Sequence, residues 1–476
     1  MKSQYSILHI SDLHKPQGCD FDNLFYSLQK DCEGYTRAGI KKPEIIVVSG
    51  DLVEGSKDTT SEAENIIRAQ YAETSNFLAR LTDYFLEGDR QRMVIVPGNH
   101  DYCYKVSHDS MTASSRENAK EDYDSWRQPD SAVRWNWEDM CFYHIIDPQL
   151  YATRFNLFRE FYNDFFAGIR EMPEQIDSDS YVIHLPAYRL AFVCFNSCYR
   201  LDHLNPMGCI SASAMSGIHD RLARLRNLGC LLIGVWHHHV SGLPAENNYM
   251  DYRILNAMMD EDIKVGLFGH QHVSTVVHEY NDITSEMTLL LISSGSLYGN
   301  RSQLVTGIPR QYNIIEMTHE GDKVTLQLNI RKDSSQYGYD IPQWTESQIG
   351  RKNLHKYMRE LQVNRPQIEY LLADIDRMAK TTKDYAEACR RLYDIGLEDE
   401  LVLRYYDNYI SQVDDANFLK TMLQRPMTII QYMKALDAAI EIKDKVWIRN
   451  LLSNELFKDD RTPYILELKK KAQMMF

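Results

Sequence analysis

No long apolar run interrupts the sequence. Although 44% of the residues are hydrophobic, no stretch approaches the ~18 consecutive apolar residues that a membrane-spanning helix needs. The first residues, Met1 to Gln4, lead straight into a short apolar run and do not form the pattern of a signal peptide. We therefore expect the chain to stay in the cytoplasm and to have no membrane partner.

Cysteines at metal-binding spacing are missing as well. The nine cysteines include no C-x-x-C pair, the spacing that is typical of structural zinc and redox sites. Cys194, Cys198 and Cys230 lie in or beside apolar runs, where a reduced cysteine behaves as a small hydrophobic residue. The sequence therefore argues against zinc held by cysteines.

Positive charge is scarce. Lys and Arg number 53 against 67 Asp and Glu, which gives a formal net charge of −14. Because binding to duplex nucleic acid depends largely on Lys and Arg neutralising phosphates, this balance disfavours a broad nucleic-acid interface. A small phosphorylated substrate, or a short single strand, fits the charge better.

What the sequence does contain is a set of apolar, β-branched runs that each end in polar side chains. They are Tyr5–Ile10 before Asp12 and His14, Ile45–Val48 before Asp51, Met93–Val96 before Asn99, His100 and Asp101, Leu231–Trp236 before His237, His238 and His239, and Ile263–Phe268 before His270 and His272. In a layered α/β domain, ligands gather outside the carboxyl ends of the strands. We therefore expect these side chains to converge on one site.

The donor types at these strand ends indicate metal ions. Asp, Asn and neutral His suit zinc, manganese or iron, and none of the five turns contains a cysteine. Even seven ligands from this set of residues are too many for one ion, whereas two ions that share a carboxylate account for them. A pair of ions ~3.5–4 Å apart can hold both the attacking and the leaving oxygen of a phosphoryl transfer.

In chain order, the motifs D-x-H, G-D, G-N-H-D, H and G-H-x-H resemble the motif series of the calcineurin-like metallophosphoesterases. The resemblance covers roughly residues 1–332. It implies an α/β fold, a two-sheet metallophosphoesterase sandwich flanked by helices. It also implies a phosphoesterase with two divalent metal ions, manganese first and iron or zinc as alternatives.

The resemblance further assigns a role to each motif residue. One metal is held by Asp12, His14 and His272, the other by Asn99, His237 and His270, and Asp51 bridges the two. His100 is then no ligand, but faces the phosphate as an electrostatic stabiliser or general acid that Asp101 orients. The nucleophile is a metal-activated water.

One ligand position stays open, because three adjacent imidazoles cannot all point the same way from a strand end. We prefer His237, which follows the apolar run directly. His238 is the second choice, and His239 is expected to be a supporting or solvent-exposed residue.

The segment from about 102 to 180 is rich in aromatic residues and leaves directly after His100 and Asp101, so we interpret it as an insert that caps the substrate. Its aromatic side chains either stack on a base or form the small core of a helical insert, and the second interpretation is favoured for most of them. Tyr102 and Tyr104 are expected to contact substrate. Arg200, in a later loop, is a weaker candidate for binding a substrate phosphate.

A length of 476 residues allows two or three domains. Periodicity becomes irregular near Ser334–Trp344, so we predict a catalytic domain over 1–335 and an α-helical interaction domain over 345–476. Segments such as Asn353–Leu361 and Tyr385–Tyr393 have apolar residues at helical spacing. The helical part either contacts a partner protein or a second copy of the chain, or merely stabilises the catalytic domain.

Three functions are compatible with these motifs. The first is hydrolysis of phosphodiester bonds in nucleic acid or nucleotides, including nuclease activity. Ser11 before Asp12 and Lys15 after His14 depart from the G-D-x-H-G of protein phosphatases. The alternatives are a phosphomonoesterase or pyrophosphatase acting on small nucleotides, and a non-catalytic scaffold on the same fold.

Overall fold

The computed structural model describes residues 4–16, 21–128, 130–173, 180–242, 248–250, 253–282, 287–299, 304–335, 341–349, 355–364 and 368–476. Its strands are β1 (Gln4–Ile10), β2 (Ile45–Ser49), β3 (Met93–Val96), β4 (Met111–Ala113), β5 (Val133–Asn136), β6 (Cys141–Ile145), β7 (Ser180–Leu185), β8 (Leu190–Phe195), β9 (Leu231–Val235), β10 (Val265–Phe268), β11 (Thr275–Asp282), β12 (Met287–Ser293), β13 (Gln311–Glu320), β14 (Lys323–Asp333), β15 (Trp344–Glu346) and β16 (Lys356–Gln362).

The α-helices are α1 (Asp22–Glu33), α2 (Tyr35–Ala38), α3 (Ala63–Leu86), α4 (Tyr104–Asp109), α5 (Ala119–Trp126), α6 (Pro148–Ala152), α7 (Asn156–Phe165), α8 (Ala212–Ser216), α9 (His219–Asn227), α10 (Arg253–Asp260), α11 (Ile368–Thr382), α12 (Tyr385–Ile395), α13 (Glu400–Ile410), α14 (Ala416–Met422), α15 (Ile429–Glu441), α16 (Lys445–Leu452) and α17 (Pro463–Gln473). Short 3-10 helices cover Arg90–Arg92, Arg116–Asn118, Thr153–Phe155 and Pro186–Tyr188.

The strands form two large sheets and one small sheet. The first has the order β15-β14-β13-β1-β2-β3, with β16 also paired to β14, and the second has the order β11-β12-β10-β9-β8-β7. In the first sheet β1, β2 and β3 run parallel, and in the second β8, β9, β10 and β12 run parallel. The carboxyl ends of these parallel strands therefore share one edge within each sheet.

The two large sheets pack face to face. The side chains of β2 alternate between two cores. Ile45 and Val47 belong to the core between the sheets, and Ile46 and Val48 belong to the core on the outer face. Side chains in a strand point alternately to the two faces, so a strand that is buried on both sides is apolar throughout. The predicted sandwich of two sheets flanked by helices is confirmed.

Each outer face is covered by helices. Residues of α1, α3 and α7 form one core with the outer face of the first sheet. Residues of α9 and α10 and of the C-terminal helices α11 to α17 form another core with the outer face of the second sheet. The C-terminal helices pack in sequence, α11 on α12, α12 on α13 and α14 on α15. They therefore share a continuous core with the two-sheet sandwich.

One element prediction at the start of the predicted helical domain is wrong. Asn353–Leu361 was expected to be helical, but its described part lies in β16, which pairs with β14 from Lys323↔Gln362 to Asn329↔Lys356. Apolar spacing over so short a segment does not distinguish strand from helix, and the partner strand decides. The first sheet thus extends to Gln362, and the described helical part starts at Ile368.

The insert is a mixed α/β element. Its strands form a small antiparallel sheet in the order β4-β6-β5, beside which α4 to α7 lie in the chain. Phe142 is buried and lies in edge-to-face contact with Trp135, at a ring-centroid distance of 4.7 Å. Trp137, by contrast, is exposed. The interpretation as a small helical core therefore fits only some of the aromatic residues.

Two further observations concern the whole described chain. Among the described helices, none is long and apolar enough to cross a membrane. The described cysteines are all free thiols.

Candidate metal centre

The five predicted ligand-bearing turns meet at one edge of the sandwich. The turn after β1 is bound to the turn after β2, since the Asp12 amide donates to Gly50 O at 3.1 Å. The turns after β9 and β10 are joined by the Gly269 amide, which donates to His237 O at 3.1 Å. The His270 amide donates to Asp12 Oδ2 at 3.1 Å, which connects the two sheets.

The first ligand cluster consists of Asp12, His14 and His272. His14 Nε2 lies 3.0 Å from His272 Nε2, and Asp12 Oδ1 lies 3.2 Å from His272 Nε2 and 3.6 Å from His14 Nε2. Donors that share one ion at bond lengths of about 2.1 Å lie about 3.0–3.4 Å apart. These three atoms thus have nearly the spacing of ligands on one cation.

The second cluster consists of Asn99, His237 and His270. Asn99 Oδ1 lies 2.8 Å from His237 Nε2 and 2.8 Å from His270 Nδ1, and the two imidazole nitrogens are 3.3 Å apart. His237 Nδ1–H donates to Ser49 O at 2.8 Å. This bond leaves Nε2 with its lone pair facing the cluster, the usual arrangement of a metal-binding histidine.

Asp51 lies between the two clusters. Its Oδ2 is 3.7 Å from His14 Nε2 in the first cluster and 3.3 Å from His237 Nε2 in the second. Its Oδ1 accepts a hydrogen bond of 2.8 Å from the His100 amide, which fixes the carboxylate. This is the position that a bridging carboxylate requires.

The backbone at these turns is strained. Asp12, His14, Asp51, His270 and His272 all have positive φ, between 43° and 74°. Few non-glycine residues adopt this left-handed conformation, and such strain concentrates at functional sites. In this chain it directs five of the seven predicted ligands towards one point.

Two glycines permit the close approach of the turns. A Cβ on Gly98 would lie 2.2 Å from Asp51 Oδ1, and a Cβ on Gly269 would lie 2.5 Å from Asp12 Oδ2. Both distances are far shorter than van der Waals contact, so any side chain here would displace a predicted ligand. Steric hindrance therefore explains why glycine occupies these positions of the G-N-H-D and G-H-x-H motifs.

The buried donors fit divalent cations. Asp12 Oδ1 is buried and accepts no hydrogen bond of regular geometry from the described residues, although His272 Nε2 lies 3.2 Å away, and a buried carboxylate charge is costly unless a cation compensates it. Among the described residues, three groups have metal-binding geometry: Asp12/His14/His272, His14/Asp51/His100 and Asp51/His237/His270. Oxygen and imidazole donors without thiolates suit manganese, iron or zinc.

The carboxylates of the centre stay ionised despite burial. Burial is the largest single effect on the pKa of Asp12 and raises it, but His272, His14 and His237 together lower this pKa well below the usual value. For Asp51, burial likewise raises the pKa, and His237, His100 and His14 together lower it. Two ionised carboxylates are what a pair of cations needs.

Two of the histidines differ in protonation. Burial, assisted by the positive charge of His237, lowers the pKa of His270 to about 3, so His270 is neutral and can donate its lone pair. Burial also disfavours charge on His237, but Asp51, Asp12 and the carbonyl of Ser49 together outweigh burial and raise this pKa to about 9. A cation bound at His237 would therefore displace a proton.

The structure brings His237, and neither neighbour, next to Asn99 and Asp51. The Nδ1 of His238 accepts a hydrogen bond of 2.9 Å from the hydroxyl of Ser197, and its ring packs against His270 at a centroid distance of 4.8 Å. His239 Nδ1 is bonded to Ser241 instead. Among the three adjacent imidazoles, the geometry thus agrees with the first choice.

His100 lies at the centre, but Asp101 does not orient it as expected. The Nδ1 of His100 donates to Glu54 O at 2.8 Å. The Asp101 carboxylate faces the protein interior, where it accepts hydrogen bonds from the Gly98 amide at 2.7 Å and the Leu52 amide at 3.2 Å. The predicted contact was wrong because a side chain that follows a strand end can also turn inward to satisfy backbone donors.

A cavity of about 1100 Å³ opens directly beside Asn99 and His100. Tyr102 and Tyr104 line it, together with residues of the β5–β6 hairpin. Arg200 is not part of its described wall. It lies 3.4 Å from the exposed Asp130, so the structure does not bring it together with the metal ligands.

Sequence reasoning missed several residues that support the site. Ser49 O and Glu54 O hold two imidazoles, and Ser197 Oγ accepts the amides of His237 and His238 at 3.2 and 3.0 Å. Ser197 follows β8, so its place after a strand end was an available signal. Main-chain carbonyls leave no such signal in a sequence.

Comparison with known proteins agrees with this geometry. The model of the calcineurin-like phosphoesterase family matches residues 5–274, more than half of the chain. The protein belongs to the calcineurin-like phosphoesterases. No curated protein matches the sequence.

Solved structures resemble this phosphoesterase weakly. A dimetal phosphatase from Danio rerio is 11% identical, with 68% of this chain and 95% of that chain covered and a TM-score of 0.35. Chaetomium thermophilum Vps29 is 9% identical, with 76% and 98% covered and a TM-score of 0.24. TT1561 of Thermus thermophilus is 11% identical, with 65% and 93% covered and a TM-score of 0.26. Such values carry no information about the activity of this chain.

Proposed function

We propose that this calcineurin-like phosphoesterase hydrolyses phosphodiester bonds in nucleic acid or nucleotides, with two divalent metal ions at the centre. The observation that supports it most is the place of Asp51, whose Oδ2 lies within 3.7 Å of His14 Nε2 and 3.3 Å of His237 Nε2. A single carboxylate next to two separate donor clusters suits two ions better than one.

The ligand sets follow from the two clusters. Asp12, His14 and His272 would hold one ion, Asn99, His237 and His270 would hold the other, and Asp51 lies where it would be shared by both. When bound, the ions supply Lewis-acid stabilisation of phosphoryl charge and lower the pKa of water towards about 7. Manganese is the first choice for both positions.

His100 assists the reaction from the side of the cavity. Its Nδ1–H is used by Glu54 O, so its Nε2 is the atom that remains for substrate. In the protonated state Nε2 donates a hydrogen bond to a phosphate oxygen or to the leaving group. Asp101 acts indirectly, because its carboxylate fixes the two turns that contain Gly98 and Leu52.

Lys15 is occupied within the protein. Its Nζ donates to Pro16 O at 2.7 Å and pairs with Glu73, and its side chain is only 1% exposed. Lys15, a departure from the protein-phosphatase motif, therefore has a structural role and does not bind substrate. Tyr102 and Tyr104 remain the proposed substrate contacts, and Arg200 would need to leave Asp130 to take part.

Metal loading with a chromogenic diester tests this function. The purified chain is stripped with a chelator and reloaded with manganese, iron or zinc, and then metal content and hydrolysis of bis-p-nitrophenyl phosphate are measured. We expect two ions per chain and hydrolysis only after loading. Faster turnover of p-nitrophenyl phosphate than of the diester would indicate a phosphomonoesterase and not a phosphodiesterase. A chain that binds no metal and hydrolyses neither would be a scaffold.

For the C-terminal helices we propose a contact role, either with a second copy or with a partner protein. Val446 of α16 is 70% exposed, although most apolar residues of this helix are buried. Leu456, which follows the end of α16, is 72% exposed. Multi-angle light scattering distinguishes the two occupants. A dimer that Val446→Glu with Leu456→Glu converts to monomer indicates self-association. A monomer at all concentrations excludes it and leaves a partner protein or a purely stabilising role.

A further inference from the structure

The aromatic wall of the cavity beside the metal centre remains unexplained by metal binding. Trp137 lies just after β5 and lines the cavity, yet it is 75% exposed. Trp135 lies beside it in edge-to-face contact, at a ring-centroid distance of 5.8 Å. Large aromatic residues usually bury their rings, so an exposed indole on the wall of a cavity is available to a flat ligand.

The two indoles of this wall differ in what they offer to a ligand. The indole Nε1 of Trp135 is buried, so this nitrogen is shielded from the cavity. The ring of Trp137 is exposed and is therefore the part of the wall that a flat ligand can contact.

The charges of the cavity limit what the rest of the ligand can be. Its described wall contains the carboxylates of Glu54, Glu138 and Asp139 and one lysine, Lys57, whereas the buried carboxylate of Asp202 pairs with Arg134 at 2.6 Å. A nucleic-acid strand presents one phosphate per nucleotide and is held by rows of Lys and Arg. Several successive phosphates would meet carboxylates here. One phosphate at the metal centre, followed by an uncharged ring, avoids this repulsion.

We infer that the substrate is a mononucleotide phosphoester whose base stacks on Trp137, with its scissile phosphate at the metal centre beside His100. This inference rests on the proposed function and narrows it from nucleic acid or nucleotides to nucleotides. The cavity, at about 1100 Å³, is at the upper end of small-molecule sites and accommodates a nucleoside. Trp135 and Tyr143 complete the wall around the base.

Competitive inhibition measures the contribution of the base. With bis-p-nitrophenyl phosphate as the reporter substrate, inhibition constants are determined for AMP and for ribose 5-phosphate, which lacks the base. We expect AMP to bind about tenfold more tightly than ribose 5-phosphate, the lower range of the effect of one stacked base. Trp137→Ala should remove this difference and leave the constant for ribose 5-phosphate unchanged.

Trp126→Ala is the matched control, because Trp126 is a half-exposed tryptophan of the same insert that does not belong to the described cavity wall. The inhibition constants of AMP and ribose 5-phosphate for this variant should equal those for the wild type. Since Trp137 is exposed, its removal should leave the melting temperature nearly unchanged, which circular dichroism verifies.

Three outcomes would overturn the inference. Equal binding of AMP and ribose 5-phosphate by the wild type refutes base stacking while leaving the proposed function intact. Tighter inhibition by a single-stranded oligothymidylate than by AMP assigns the site to a strand. Absence of any hydrolysis of the reporter with metals loaded refutes the proposed function itself, and this inference with it.

Discussion

Replacing Asp51 by Asn should reduce hydrolysis of bis-p-nitrophenyl phosphate to below about one-thousandth of the wild-type rate. The reason is that two metal ions held by a shared carboxylate supply several kcal/mol of transition-state stabilisation. The amide has the size of the carboxylate and can still accept the His100 amide hydrogen bond of 2.8 Å. It removes the negative charge that lies next to both clusters. We expect the metal content to fall from two ions to one or none.

Asp58→Asn is a suitable control for this substitution. Asp58 lies in the same loop after β2, and its carboxylate accepts a hydrogen bond of 2.8 Å from the Thr60 amide, a bond that Asn can also accept. It should keep both metals and full activity. An Asp51→Asn protein with two bound ions and near-normal turnover would contradict the bridging role.

Replacing His100 by Ala should leave two metal ions bound and lower kcat by about 10²–10⁴-fold, the range of a general acid or base. The reason is geometric, because Glu54 O occupies Nδ1 of His100 at 2.8 Å and only Nε2 faces the site. Mass spectrometry for metals and steady-state kinetics measure the two effects separately. Asp12→Ala and His270→Ala, by comparison, should lose metal and activity together.

His219→Ala serves as the control for imidazole removal. His219 is on the surface of α9, where its Nδ1 lies 2.6 Å from Glu261 Oε1, and its loss should change neither metals nor kcat. His14, Asp51 and His100 also form a group with metal-binding geometry. Loss of metal from His100→Ala equal to that from Asp12→Ala would therefore show that His100 is itself a ligand.

Much of the fold could be predicted from short apolar runs. The runs at Tyr5–Ile10, Ile45–Val48 and Met93–Val96 form β1, β2 and β3 almost to the residue, because strands that are buried on both faces are apolar throughout. The run at Ile263–Phe268 also forms a strand, although β10 begins only at Val265. The segment Lys356–Gln362 was less predictable, since β16 depends on pairing with β14.

The candidate site was predictable to a similar degree. Asp12, Asn99 and His272 all follow strand ends in motifs that a sequence displays, and their side chains do converge in the structure. The orientation of His100 by Glu54 O could not be predicted, because a carbonyl belongs to every residue alike. The exposure of Trp137 could not be predicted either, because composition does not show which aromatic residues of an insert are buried.

The sequence by itself determined the types of ligand, their order and the sheets whose ends carry them, because these depend on local apolar patterns and on chemical identity. Only the tertiary structure decided which atoms meet. His14 and His272 are 258 positions apart and lie 3.0 Å from each other. Contacts over such separations depend on how two sheets pack, and so does the wall of aromatic residues that the insert places beside the metals.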